Sequence, residues 1–525
     1  MADNSRMTVA TLPAPTCALV DAAPSVSAPR ASRELRRATV GYWLLVALVA
    51  AVGVGKAVRS DVMDPDVFWH LRVADQILRE GVRPIVDSLS YASLKQPWAP
   101  YSWLAELAMK WSFDAGGYRL ALAFRAALIA GTLALVALAC SACAGRERRM
   151  ASAVAVLWFA YLGLPYLSFR PATMATLLLA LCAWLLLRDR TSNERTRSVW
   201  LLLPVTALIV NLHLTAVVVP MFVAALLAGS IWEQYRGEGD ARRRTRRYAL
   251  LLCGVTLACL ATPLLPGVLR TAWHYQSRDV MVASDIITEM RPVYRGGLAL
   301  VTVPLLLATI ALAIRGRERV RAGEWLWLAV GAALMLRLGR FAPIFGLISA
   351  PVLAATLPRR LTDRTLAKPL VHAAVCASLL TCAWHVAGAF PRAEVPLSTW
   401  LNSEPRRFFY PCAAADFVAA NLEPPAGRPG RLINEFTWGG YLAWRLGPGY
   451  QTLLDGRTQM FAPDFWHKTM LAPDDATRTA FFRTLDADVA IIPVDKSRFR
   501  GSVEAMGWRS VYRDAVAEVL VARDE

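Results

Sequence analysis

The chain has a low share of charged residues and few cysteines. Only 19% of its 525 residues are charged, while 56% are apolar, and the mean hydropathy is +0.37. A typical soluble domain is about one quarter charged, so this balance excludes a disordered chain and indicates a protein dissolved in lipid. The nine cysteines lie mostly within apolar runs, where a thiol behaves as a small hydrophobic group, which excludes a small disulfide-stapled scaffold.

The sequence also lacks the common motifs of nucleotide and hydrolytic chemistry. It contains no GxxxxGK[ST] loop, no GxGxxG after a strand, no GxSxG elbow and no HExxH helix. Cys140 and Cys143 form a CxxC pair with no second pair, which we interpret as small-residue packing. No internal repeat is evident, and this disfavours a secondary transporter built from inverted repeats.

The formal net charge of +18 belongs to the apolar part of the chain. Residues 391–525 carry 16 basic and 17 acidic residues, whereas residues 1–390 carry 42 and 23. Much of the excess lies in segments between alternate apolar runs: 146–149, 188–197, 236–247, 315–321 and 359–368. This positive-inside pattern is typical of a multi-pass membrane protein and excludes a basic patch for nucleic acid.

Eleven apolar runs approach the ~20 residues that cross a bilayer core. They are 40–58, 118–140, 150–166, 171–187, 198–213, 215–232, 248–265, 297–314, 323–337, 341–357 and 369–390. A cytoplasmic N-terminus puts every basic segment inside. We therefore predict a polytopic α-helical membrane protein of about 11 spans.

Three regions follow from this arrangement: a disordered cytoplasmic tail (1–37), a transmembrane region (38–390) and an extracytoplasmic domain (391–525). In the last region, candidate helices alternate with strand-like runs such as ADVAIIP and VAEVLVA, which predicts a C-terminal soluble α/β domain. The first outer loop, 59–117, holds two amphipathic segments, 67–80 and 101–113. We expect both to lie as helices in the membrane interface.

The first outer loop also has the densest set of polar residues. Asp61, Asp64, Asp66 and His70 are followed by Asp87 and Glu106. Pro65 disfavours helix at Asp64, so the turn exposes carboxylates just before a helix begins. Asp66 has two interpretations: it caps that helix, or it acts with Asp64 and His70 as a general base or a ligand of a divalent cation.

Several basic residues are predicted to face the same side. Arg170 lies in a break between spans, Arg337 and Arg340 flank another break, and Arg291 lies in the outer loop 266–296. His213 ends a span on this side, two residues after Asn211. Each outward arginine has an alternative role as a headgroup anchor, but several at one cavity mouth would bind a phosphate or diphosphate.

These residues resemble a known group of proteins. The runs MDPDVFWHLR (63–72) and PIVDSLSY (84–91) are similar to the first outer loop of bacterial glycosyltransferase-like membrane proteins of the GT-C superfamily. SFRP (168–171), NLH (211–213), RLGRFAP (337–343), NEFTWGGY (434–441) and LDGR (454–457) are typical of the same group. Phe68 departs from the pattern, which more usually has tryptophan there.

The resemblance implies a glycosyltransferase that uses a polyprenyl-phosphate sugar as donor on the outer face of the bacterial inner membrane. The acceptor would be a lipid, a glycan or a protein. Asp66, and after it Asp64, would be the base or the ligand of Mg²⁺ or Mn²⁺. Substrate binding is expected from a wider polar set: His70, Asp87, Glu106, Arg170, His213, Arg337 and Arg340.

A fainter likeness to oligosaccharyltransferases concerns DP (64–65) and TWGGY (437–441), although the central aspartate of their tail motif is missing. Trp438, Tyr441, Asp455 and Arg457 are weaker candidates for acceptor binding, with buried packing of the aromatic residues as the alternative. Two other functions stay open: a non-catalytic transporter or assembly factor for surface glycans, and a transferase or ligase of whole glycans.

Overall fold

The computed structural model describes residues 28–59, 64–145, 147–238, 240–277, 279–284, 286–295, 299–358, 363–403, 409–495 and 497–522. Asp61 and residues 1–27 of the predicted tail lie outside these ranges. The helices before the C-terminal domain are α1 (Ala28–Arg59), α2 (Asp66–Glu80), α3 (Trp103–Ala144), α4 (Arg149–Gly163), α5 (Pro171–Thr191), α6 (Leu202–Leu212), α7 (Val218–Tyr235), α8 (Ala241–Ala258), α9 (Leu265–Ser277), α10 (Val280–Ala283), α11 (Ala299–Arg315), α12 (Ala322–Arg337), α13 (Ala342–Thr356) and α14 (Pro369–Ala389).

Each of the eleven predicted apolar runs overlaps one of these helices, although α1 begins within the segment predicted as a tail. In the described part of the chain, six helices are long and apolar enough to cross a membrane: Ser32–Val58, Trp103–Ala144, Pro171–Thr191, Leu214–Tyr235, Gly339–Thr356 and Pro369–Ala389. The protein is a multi-pass membrane protein. The count of eleven spans and the cytoplasmic N-terminus stay predictions.

The basic segments meet at one end of the helical region, here called the basic end. Their contacts pair Arg247 with Asp189, Arg244 with Glu233 and Arg190 with Glu324, and Asp363 accepts from two backbone amides at the start of α4. Helices α5, α7 and α13 each run toward this end. Their first residues therefore lie at the opposite end, where the polar loops gather.

Helix α3 joins two segments that the sequence predicts separately. Its φ/ψ angles depart from helical values at Gly116 and at Gly117, where φ is +59°, a value that glycine adopts without strain. The part before this kink matches the amphipathic segment 101–113, and Trp111 is exposed there. The part after it matches the predicted span.

Helix α2 confirms the predicted helix 67–80, and its position in the membrane interface stays a prediction. Val67, Phe68, Leu71 and Ile77 are buried. Phe68 packs edge-on against Tyr441 of the C-terminal domain, with ring centroids 5.1 Å apart. An amphipathic face can be covered by lipid or by protein, and here the C-terminal domain covers it.

The C-terminal region is an α/β domain. It contains α15 (Leu397–Leu401), α16 (Cys412–Asn421), α17 (Gly439–Leu446), α18 (Pro463–Lys468), α19 (Asp475–Arg483) and α20 (Arg500–Glu504). A two-stranded ladder, β1 (Ile85–Val86) and β2 (Pro97–Trp98), lies in the first outer loop, and the domain's sheet has β3 (Gly430–Asn434), β4 (Tyr450–Thr452), β5 (Val489–Pro493), β6 (Arg509–Arg513) and β7 (Ala517–Val521). The sheet order is β4-β3-β5-β7-β6, with β3 parallel to β4 and β5, and β7 antiparallel to β5 and β6.

The first outer loop extends this sheet at its β4 edge. Ser90 bridges Thr452 in parallel register, and the Thr452 amide donates to Leu89 O at 2.9 Å. The Ser90 hydroxyl donates to Leu453 O at 2.9 Å. The loop that carries the aspartates is therefore fixed to the C-terminal domain by backbone hydrogen bonds.

Candidate functional site

Asp64 and Asp66 lie where the chain enters α2. The proline between them keeps Asp64 out of the helix, and Asp64 Oδ1 accepts from the Asp66 amide at 3.0 Å. Asp66 is already the first helical residue, and its side chain accepts no backbone N–H at this terminus. The capping interpretation of Asp66 is therefore wrong, and its carboxylate is available for other partners.

The Arg170 guanidinium bridges these two carboxylates. Its Nη2 lies 2.5 Å from Asp64 Oδ1 and 3.0 Å from Asp66 Oδ2. Arg170 has extended backbone angles and directly precedes Pro171, which begins α5. The break between two spans thus lets a long basic side chain turn back toward the first outer loop.

Glu289 is the third carboxylate of this cluster, and the sequence reasoning missed it. Both of its oxygens accept from Arg170 Nη1, at 2.9 and 3.0 Å. It lies in a short 3₁₀ turn, Thr288–Met290, two residues before Arg291. The one signal that would have found it is an acidic residue in an outer loop that already faces a predicted arginine cluster.

Three carboxylates around one guanidinium leave a net negative charge, and the pKa values of Asp66 and Glu289 shift in opposite directions. Burial raises the pKa of Asp66 to about 6; Arg170 opposes the rise, and the Asp64 and Glu289 carboxylates reinforce it. Burial acts in the same direction on Glu289, but Arg170 and Arg340 outweigh it and lower that pKa. Of these two carboxylates, Asp66 is therefore the one that takes up a proton more readily.

Arg340 and His213 lie beside the carboxylate cluster. Arg340 Nη1 is 3.5 Å from Met290 Sδ, and the Gly339 amide donates to Arg291 O at 3.0 Å, so this turn packs on the turn that holds Glu289. Among the described residues, no carboxylate lies within 4 Å of the Arg340 guanidinium. Burial lowers the pKa of His213 to about 3, with Arg340 and Arg170 adding to the effect, so its ring is neutral.

His70 and Glu106 form a buried pair. His70 Nδ1 and Glu106 Oε1 share a hydrogen bond of 3.1 Å, and the two side chains are 7% and 2% exposed. Glu106 Oε2 has no hydrogen-bond partner in the described part of the chain. Burial lowers the pKa of His70 well below its usual value, with nearby Arg170 contributing, so the ring is neutral. His70 lies on α2 one helical turn after Asp66, and Glu106 Oε2 is a hydrogen-bond acceptor beside it.

Asp87, Asp455 and Arg457 form a buried ion triad and not an open binding surface. Arg457 Nη1 lies 2.7 Å from Asp87 and Nη2 lies 2.6 Å from Asp455, and all three side chains are fully buried. Because all three side chains are fully buried, substrate cannot reach them. Their place in the fold is to hold the first outer loop to the C-terminal domain.

The motif residues of the C-terminal domain also hold the aspartates in place. Trp438 and Tyr441 are buried in the interface with α2, so packing and not acceptor contact explains them. Gly456 passes so close to the site that a Cβ there would lie 2.0 Å from Asp66 Oδ1. A Cβ at Gly440 would lie 2.7 Å from Pro65 O. Arg337 is exposed, and the ion pairs of the cluster do not include it.

The donor set does not fit the predicted Mg²⁺ or Mn²⁺ ion in this conformation. Asp64, Asp66 and Glu289 direct their oxygens at Arg170, which supplies the positive charge that a cation would supply. A metal ion would have to displace this guanidinium before it could bind. Within the described ranges no group of three or more His, Cys, Asp or Glu side chains has the geometry of a metal site.

The helical region, the first outer loop with its two aspartates, and the α/β domain above them define a GT-C-like membrane protein fold. The fold is similar to that of the archaeal oligosaccharyltransferase AglB from Archaeoglobus fulgidus in complex with an inhibitory peptide and a dolichol-phosphate. The TM-score is 0.51 at 12% identity, over 86% of this chain and 70% of that chain. The same organism's enzyme in complex with Zn and sulfate gives 0.50 at 12% identity, over 86% and 68%.

ArnT from Cupriavidus metallidurans bound to undecaprenyl phosphate gives a TM-score of 0.48 at 13% identity, over 93% of this chain and 99% of that chain. At 12% identity, the likeness to the AglB structures concerns the fold. The chain matches no protein-family model and no curated protein sequence.

Proposed function

We propose that the protein transfers a sugar from a polyprenyl-phosphate-linked donor to an acceptor on the outer face of the bacterial inner membrane. The observation that carries this proposal is the convergence of Asp64 and Asp66 on Arg170, beside Arg340 and His213. This site lies at the end of the helical region away from the basic end. An outer-face enzyme has no nucleotide sugar available, so a lipid-linked donor is the chemistry that suits the position.

Asp66 is the proposed general base. A carboxylate whose pKa is about 6 is ionised at neutral pH and still accepts a proton readily. In the step, the acceptor oxygen forms a bond to the sugar's anomeric carbon, and its proton passes to Asp66. The bond from that carbon to the donor phosphate oxygen breaks, and the phosphate leaves with the electron pair.

The leaving phosphate needs a positively charged partner. Arg340 suits this role because its guanidinium lies beside the cluster without a carboxylate partner among the described residues. His213 is neutral and retains a ring nitrogen beyond the one that contacts Thr215. The similarity to the AglB structure with dolichol-phosphate supports a lipid phosphate as the ligand.

Arg170 has a different proposed role from the phosphate binding expected at first. It contacts three carboxylates, so it holds Asp64 and Asp66 in one arrangement. Asp64 shares this positioning role because it binds both Arg170 and the Asp66 amide. Positioning of this kind decides whether the base reaches the acceptor proton.

The test is Asp66→Asn in the full-length protein, assayed with a panel of labelled polyprenyl-phosphate sugars. Removal of a general base lowers the rate by about 10²–10⁴-fold, and we expect a loss in this range. Asp75→Asn is the matched control, because Asp75 lies on the same helix and pairs with Lys110 away from the cluster. Unchanged turnover of Asp66→Asn at normal expression would refute the assignment of the base.

Transfer of a whole glycan is the second candidate. It uses the same geometry, and the AglB similarity favours it because that protein is an oligosaccharyltransferase. Donor panels that include both single sugars and oligosaccharides on the same lipid carrier distinguish the two functions.

A further inference from the structure

A polar cavity lies at the basic end, opposite the candidate active site. Its volume is about 450 Å³. Four of its lining residues are arginines from three separate segments: Arg148 before α4, Arg190 at the end of α5, and Arg319 and Arg321 between α11 and α12. None of these residues takes part in the proposed glycosyl transfer.

Two of the arginines are held by buried carboxylates. Arg190 Nη2 donates to Glu324 Oε2 at 3.0 Å and to Arg319 O at 2.8 Å. Arg321 pairs with Glu194. The side chains of Glu324 and Glu194 are each 4% exposed. The guanidinium groups are therefore fixed in position before any ligand arrives.

The other two arginines bind the end of α13. Arg319 Nη1 donates to Ala355 O at 2.9 Å, and Arg148 contacts Ala355 O and Leu357 O. Within the described ranges, no carboxylate lies within 4 Å of the Arg319 guanidinium. Among the described residues, the four lining arginines face the carboxylates of Glu194, Glu324 and the exposed Glu318, so the cavity has one more positive than negative side chain.

The cavity lies at the depth where spans end. Helices α3, α5 and α13 are candidate membrane spans, and they finish here at Ala144, Thr191 and Thr356. The lining also includes apolar groups, Cys143, Ala144 and Ala355. A ligand in this cavity meets both fixed guanidinium groups and apolar side chains.

We propose that this cavity binds the phosphate group of an anionic phospholipid headgroup. Guanidinium groups bind phosphate oxygens in bidentate fashion, and basic pockets between spans at the cytoplasmic side attract anionic lipids. Free inorganic phosphate has the same chemistry, but it would not use the apolar part of the lining. The proposal does not depend on the function of the active site.

The test uses the full-length protein in nanodiscs of phosphatidylcholine alone or with phosphatidylglycerol, and compares midpoints of thermal unfolding. A ligand that binds the folded protein raises the midpoint, so we expect a higher value with phosphatidylglycerol. The double variant Arg148→Gln with Arg319→Gln loses end contacts of α13 and is less stable in both lipids. The decisive quantity is the difference between lipids, which this variant is expected to lose, with about tenfold weaker lipid retention in native mass spectrometry.

The matched control is Arg242→Gln with Arg246→Gln, which removes the same charge from exposed positions at the basic end. It should keep the lipid-dependent shift. An equal shift in the cavity variant and in the control would overturn the proposal, as would the absence of a shift in the unmodified protein. Inorganic phosphate added in phosphatidylcholine alone is the last arm, and an equal stabilisation there would overturn the assignment to a lipid.

Discussion

The buried triad of Asp87, Asp455 and Arg457 gives the sharpest quantitative prediction. Arg457→Met removes the cation and leaves two carboxylates in a fully buried place. Loss of one partner from a buried ion pair costs roughly 3–5 kcal/mol, because the remaining charge has no compensation. Arg457 also lies over the Trp69 and Trp98 rings at 5.9 and 5.5 Å, so its removal takes away packing as well.

The assay is thermal unfolding of the purified protein, with limited trypsin digestion as a second measurement. At ~3 °C per kcal/mol for a domain of this size, we expect a midpoint about 10 °C lower. The triad fixes the first outer loop, and Lys95 in that loop donates to Asp87 O at 3.1 Å. Cleavage after Lys95 should therefore become faster.

The control is Arg445→Met in the same domain. Arg445 pairs with Asp416, but the side chains are 41% and 54% exposed. An exposed pair contributes about 0–1 kcal/mol, so this variant should unfold almost as the unmodified protein does. Equal midpoints for the two variants would refute the reasoning that burial of the triad stabilises the interface.

Three further predictions concern the carboxylate cluster. The transfer rate should rise with pH through about 6 and then level off, and a flat rate profile from pH 5 to 8 would contradict this expectation. The raised pKa of Asp66 favours its protonated form in the folded state. The contribution of Asp66 to stability is therefore full below its usual pKa and is lost as pH rises through about 6. Arg170→Ala removes the internal cation from three carboxylates, so we expect the unfolding midpoint of this variant to rise with added Mn²⁺. The unmodified protein should respond to neither Mn²⁺ nor EDTA. A response of the unmodified protein, without one in the variant, would show that a metal ion displaces Arg170. Gly456→Ala should lower kcat by roughly 10²-fold, because the new Cβ would displace Asp66. Gly501→Ala is the control: its Cβ would lie 2.3 Å from Asp475 Oδ2, away from the site, and kcat should stay unchanged. Similar kcat values for the two variants would show that Asp66 tolerates the shift.

The local elements followed from the sequence because their signals are local. The apolar runs, the amphipathic period of α2 and the alternation of strands and helices in the C-terminal domain depend on neighbouring residues, and the described helices and strands confirm them. The basic segments also met at one end as their spacing predicts. Pro65 keeps Asp64 out of the helix, and this effect depends only on these two neighbouring residues.

The partners of charged side chains needed the tertiary structure. Asp87 and Arg457 are 370 residues apart. From the sequence we expected Asp87 to bind substrate and Arg457 to bind the acceptor. Glu289 joined Arg170 without any motif to mark it. The apolar face of α2 fits lipid and protein equally well by composition, and only the position of the C-terminal domain decided between them.

The sequence by itself therefore determined a membrane-spanning helical protein with a separate α/β domain and a polar first outer loop. The tertiary structure decided which carboxylate meets which guanidinium, and so which charges are fixed in the interior and which stay available for a ligand. The physical reason is range: hydrophobic periodicity acts over a few residues, whereas an ion pair depends on where the whole chain brings two distant side chains.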